Sequence, residues 1–242
     1  MSTQSGARIR FEQGLDGAQA VASGPDVLVV VVDVLSFSTC VSVAADRGVV
    51  VIPARWNDAR AAAIARRYDA QLAGPRSKGG ISLSPLSIRS AEIGPHLVLP
   101  SPNGATICDA LADGGPVVAG CLRNVSAVAE ACRRHLERGA RSDVAFVAAG
   151  ERWAGESLRS APEDVWGAGA IIEALDRVDL ASMEALGAAD SFRTALARGL
   201  PLDELTSGRE LVERGFAEDV AIAGELDWSS KVPHLVHGAF VA

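Results

Sequence analysis

The stretch Val27–Thr39, VLVVVVDVLSFST, decides how the rest of the chain is read. Six consecutive apolar, mostly β-branched residues predict a strand buried on both faces, the pattern of an α/β sheet rather than of a half-exposed hairpin. The run stops at Asp33, and Ser36, Ser38 and Thr39 follow before the small apolar stretch CVSVAA, which reads as a helix. Open α/β sheets bind ligands beyond the carboxyl ends of their strands. The helix after such a turn presents free N–H groups and the positive end of its dipole to an anion. One short segment thus offers a carboxylate for a metal and a cradle for a phosphate. An ordinary buried strand with an acid near a helix start reads equally well from this segment alone.

Outward from this strand, short apolar runs alternate with Ala-rich segments of helical period. Strands are expected at Arg8–Phe11, Val49–Pro53, Gln71–Ala73, His96–Pro100, Pro116–Gly120 and Asp143–Ala149. Helices are expected at Asp58–Tyr68, Thr106–Leu111, Asn124–Glu137 and Pro162–Leu175, and helical segments dominate to about Glu218 before an acidic and aromatic tail. This alternation predicts a layered α/β/α protein with a largely parallel or mixed sheet. No Gly/Ser- or Pro-rich tract reads as a linker, so residues 1–242 are expected to form one domain. The aperiodic stretch Arg76–Ser90 reads as a functional loop over a site. The Gly/Ala-rich helix from Gly167 to Ala174 suits close packing against a sheet or against a second subunit, leaving a homo-oligomer open.

Composition narrows the chemistry. Hydrophobic residues make up 48% of the 242 and charged ones 22%, enough apolar content for a sizeable core. A formal charge of -7 argues against nucleic acid or an anionic membrane as partner. The four cysteines form no CxxC pair and no zinc-finger spacing, so reduced thiols in a cytoplasmic protein are expected. The apolar runs are too short to span a bilayer.

Three strand-end features are expected to converge: Asp33 with its hydroxyl turn, the turn at Asn103-Gly104, and the loop from Gly150 to Glu163-Asp164. Oxygen ligands without His or Cys suit Mg²⁺, which binds few carboxylates and completes its shell with water and substrate phosphate. Asn103-Gly104 can turn backbone N–H groups toward an anion.

The order VVDVLSFST, SPNGAT, AAGERW, PEDVWGAGAII and SGRELVERGFAEDVAIAGELDWSSKVP resembles the 2-phosphosulfolactate phosphatase (ComB-like) family, over about Val29 to Pro233. The resemblance implies the family's α/β fold and a Mg²⁺-dependent phosphatase that cleaves 2-phosphosulfolactate to sulfolactate and phosphate, a step in coenzyme M biosynthesis. It assigns Asp33, Glu163 and Asp164 to the metal, with Asp33 and Asp164 catalytic. Asn103 and Gly104 match the family's turn that contacts the substrate or the metal's shell. Ser36, Ser38, Thr39 and Arg76 are read from their own positions as further substrate contacts, the substrate being a small phosphorylated acid, sulfonated or not. The attacking group is metal-bound water or Asp33 itself. The family shows an Arg directly after its Asp-Val-Leu, where this chain has Ser36, and Gly-Glu-Arg where it has Gly74-Pro75-Arg76. These departures motivate two alternatives: a non-catalytic protein that binds a small anionic metabolite, or a phosphatase for another ester.

Overall fold

The computed structural model describes residues 4, 6–22, 24, 26–56 and 58–242. The N-terminal part contains β1 (Ile9–Gln13), α1 (Gly14–Val21), β2 (Val27–Val32), α2 (Phe37–Asp46), β3 (Val50–Ala54), α3 (Ala59–Arg67) and β4 (Gln71–Leu72). The middle continues with α4 (Pro85–Ser90), β5 (His96–Pro100), α5 (Gly104–Ala110), β6 (Val117–Gly120), α6 (Val125–Leu136) and β7 (Asp143–Ala148). Two short strands, β8 (Glu151–Arg152) and β9 (Leu158–Arg159), precede α7 (Pro162–Leu175) and α8 (Met183–Ala197). The chain ends with α9 (Thr206–Glu213), α10 (Ala217–Ala223), β10 (His234–Val236) and β11 (Ala239–Val241).

Among the described residues, nine strands form one sheet in the order β1-β7-β2-β6-β10-β11-β3-β5-β4. A first wing, β1-β7-β2-β6, is parallel throughout, and so is a second, β3-β5-β4. The β10–β11 hairpin joins them through three successive antiparallel pairings, so the wings run in opposite directions. The fold is therefore layered α/β with a mixed sheet. The acidic and aromatic tail, for which no element was expected, carries His234–Val241, which supplies the two strands at the sheet's middle. Its signal was short, two three-residue strands around a turn at His237-Gly238, where both residues have φ near +50° to +80°.

β2 is buried along its whole length, as an unbroken Val/Leu run requires. Its residues divide by parity. Leu28, Val30 and Val32 pack with α6, α7 and α8, whereas Val27, Val29 and Val31 pack with α1, α2 and α5. Val51, Leu97 and Leu99 of the second wing join this latter core, so both wings turn one face to α2. Every residue of α2 from Phe37 to Ala45 is buried as a result. On the second wing's other face, Ile52 and Val98 pack with Ala61 and Ala65 of α3. Asp58 starts α3 by accepting the amides of Arg60 and Ala61.

The small residues of α7 are used inside the chain. A Cβ on Gly167 would stand 2.8 Å from both Val32 and Val34, and one on Gly169 would collide with the backbone of Ala188 in α8. Among the described residues no helix is long and apolar enough to cross a membrane.

Candidate functional site

Asp33 follows the last residue of β2 and is 5% exposed. Its Oδ1 accepts the Phe37 amide at 3.0 Å, and its Oδ2 accepts the Gly104 amide at 2.9 Å. The second bond spans the wings, joining the end of β2 to the first residue of the helix after β5. Gly104 is required by that approach: a Cβ there would lie 2.8 Å from Asp33 Oδ2 and closer still to the Phe37 ring. The neighbouring hydroxyls shape the turn itself. Ser38 Oγ accepts from Asp33 N and donates to Val31 O, and Thr39 Oγ1 donates to Val34 O. Of the three expected substrate hydroxyls, Ser36 alone lines the cavity described below.

Asp164 and Glu163 stand in the first turn of α7, which Pro162 opens. Asp164 spends one oxygen on the Val34 amide, 2.7 Å, and the other on the Gly150 amide, 2.9 Å. It therefore locks the chain beyond β2 to the loop beyond β7, and it lies behind the cavity rather than in its wall. Glu163 is 1% exposed, and its Oε2 is buried without a hydrogen-bond partner.

A cavity of about 210 Å³ opens in front of Asp33. Asp33, Asn103 and Glu151 form its acid wall, and Ser36, Arg76, Arg159 and Arg214 are also in its lining, with Arg159 the cross-strand neighbour of Glu151. Asn103 Nδ2 donates to Glu151 Oε2 at 2.9 Å. Arg76 Nη2 donates to Ser36 Oγ at 2.9 Å and faces Asp219 Oδ2 at 3.3 Å. Asp219, 1% exposed, also takes Ser84 Oγ and the Leu86 amide on Oδ1, so it pins the 76–86 loop that carries Arg76. The guanidiniums of Arg76 and Arg214 lie 4.9 and 5.7 Å from the ring of Phe216. Arg159 is paired with Glu210.

Crowding sets the protonation of the acid wall. Burial pushes Asp33 up to about 6, with the charge of Glu163 adding and the N–H groups of Phe37 and Gly104 opposing. Burial and then the charge of Asp33 push Glu151 up to about 7, against the Asn103 hydrogen bond. Asp164 is held well above the carboxylate range by burial and by Asp33 and Glu163, and Glu163 is raised chiefly by burial. Four acids whose proton affinity is raised by burial are a set of hard oxygen donors for which a cation would substitute for protons. Among the described residues no three His, Cys, Asp or Glu side chains gather closely enough to form a metal centre of protein ligands alone. A magnesium ion would need only one or two of these carboxylates and would complete its shell with water and phosphate. Glu163 Oε2 is free to take such a role although Glu163 does not line the cavity, whereas Asp33 and Asp164 would each have to share oxygens that accept backbone amides.

Glu151, Arg159, Arg214 and Asp219 are site or supporting residues that the sequence reading did not single out. Glu151 carried the one usable signal, an acid directly beyond a buried strand and its glycine, as Asp33 is beyond β2.

The sequence model of the 2-phosphosulpholactate phosphatase family matches residues 17–238, and the chain belongs to that family. No curated protein matches the chain closely enough to add a relative.

Proposed function

We propose that the protein is a Mg²⁺-dependent phosphatase of a small phosphorylated acid, with 2-phosphosulfolactate the substrate to test first. The observation that carries this reading is one small cavity lined both by carboxylates of raised proton affinity and by three guanidiniums. Such a lining suits an ester that carries a phosphoryl group and a second anionic group. Its 210 Å³ is below the roughly 300–1,000 Å³ usual for drug-sized ligands, which favours a compact metabolite over a nucleotide.

When bound, Mg²⁺ would be held by Asp33 and Glu163 and would neutralise charge on the phosphoryl oxygens. Asn103 orients the acid wall through Glu151, and the N-terminus of α5 faces the same corner. Both oxygens of Asp33 accept backbone N–H groups, which supports water rather than Asp33 as the attacking group. Asp164 acts from behind, fixing the strand-end amides of Val34 and Gly150. Arg76 reaches Ser36, at the position where the family carries its own arginine, and so restores a guanidinium beside Asp33 from another loop.

The test is phosphate release from 2-phosphosulfolactate and a panel of small phosphate esters, with Mg²⁺ and with a chelator. Release that needs the metal supports the reading. Binding of such acids without release from any ester would favour the non-catalytic alternative.

A further inference from the structure

Glu151 separates two cavities. On one side lies the 210 Å³ cavity with Asp33 and the arginines, and on the other a cavity of about 250 Å³ lined by Asp16, Ile107, Arg152, Glu156 and Leu158. Asn103 shares this partition, and its amide fixes Glu151 Oε2. Three acids line the first cavity, and their hydrogen bonds differ. Asp33 has both oxygens on backbone amides, which favour its ionised form, and Glu210 is paired with Arg159. Glu151 has one oxygen held by an amide donor, which leaves Oε1 as the natural seat of a proton.

On the phosphatase reading, we infer that Glu151 is the proton donor to the departing alkoxide. As the attacking water bonds to phosphorus, the ester P–O bond breaks. Its electron pair leaves on the carbon-bound oxygen, which takes the proton from Glu151 and departs as the alcohol. The carboxylate regains a proton released by the attacking water, so ester and water become alcohol and phosphate with no other reactant. Burial is the chief influence that keeps a proton on Glu151, and Arg159, its cross-strand neighbour in β9, opposes it. Asp16, Arg152 and Glu156 face it from the second cavity.

The experiment compares the wild type and Glu151→Gln, which keeps an oxygen for Asn103, on two esters with Mg²⁺. One is 2-phospholactate, whose alkoxide needs a proton to leave. The other is p-nitrophenyl phosphate, whose phenolate leaves without one. The expected result is a kcat loss of roughly 10²- to 10⁴-fold on the alkyl ester, a loss below about 10-fold on the aryl ester, and disappearance of the basic limb from the alkyl pH profile. Equal losses on both esters, or none on either, overturn the assignment while leaving the phosphatase standing. A wild type that cleaves the aryl ester and no alkyl ester overturns it too. A wild type inactive on every ester sinks the phosphatase reading, and the proton donor with it.

Discussion

The two wings of the sheet contribute opposite halves of the site. The first wing and the helix beyond it deliver the acids Asp33, Glu151, Glu163 and Asp164, mostly buried and, for Asp33 and Asp164, clamped by backbone amides. The second wing delivers donors: the Gly104 amide, the Asn103 side chain and, on the loop after β4, Arg76. Acids fixed in a core lose their water and cannot relax away from one another, so burial first and repulsion second raise their proton affinity. A guanidinium on a loop costs less to place and can adapt to an anion's shape. The contrast separates a rigid, charge-strained wall from an adjustable, charge-compensating one, and each prediction attacks one side.

The largest effect should come from the rigid wall. Asp33→Asn keeps the shape and removes the charge at the centre, so turnover should fall by roughly 10²- to 10³-fold or more. Circular dichroism should stay native, and unchanged turnover would end the assignment.

Next comes the strain itself. Asp33 and Glu151 hold protons in the folded state that the unfolded chain releases at lower pH. Unfolding therefore releases protons between about pH 4 and 7, and metal-free stability should fall as pH rises through that window. For Asp33, raised from 3.8 to about 6, the share is roughly 3 kcal/mol. Differential scanning calorimetry should show this decline, and Mg²⁺ should raise Tm more at pH 8 than at pH 5. A Tm that climbs from pH 4 to 7 without metal would contradict the crowding.

The adjustable wall should fail differently. Arg76→Ala should raise KM for an anionic ester about 10- to 100-fold, the worth of a charge-assisted hydrogen bond, with kcat little changed. Arg76→Lys should recover part of it. A kcat collapse with constant KM would place Arg76 on the other side of the comparison.

The smallest effect probes the junction. Gly104→Ala forces a methyl between Asp33 and Phe37, costing on the order of 1 kcal/mol in unfolding. Activity should drop further than stability does, because Asp33 loses its amide donor from the second wing.

How much of this was legible follows from where the signals are local. β2, β5 and α7 have the expected bounds because uninterrupted apolar runs and a Pro-Glu-Asp helix start state them in adjacent residues. Asp33, Asn103-Gly104 and Glu163-Asp164 were readable as acids and turns at strand ends and helix starts. That Ser38 and Thr39 bond their own turn was not readable, since a hydroxyl serves a turn or a ligand with the same sequence. The Asp219–Arg76–Ser36 chain was hidden because its members are far apart and meet only through the fold. The opposed wings were hidden for the same reason: they depend on three-residue strands with one cross-strand partner each to β6 and β3.

That hairpin has a consequence for synthesis. Strands β1 to β7 leave the ribosome long before β10 and β11, so for most of translation β6 and β3 present unpaired edges. Such edges invite pairing with other chains, and nascent protein should depend on chaperones until His234–Val241 emerges and shuts the seam.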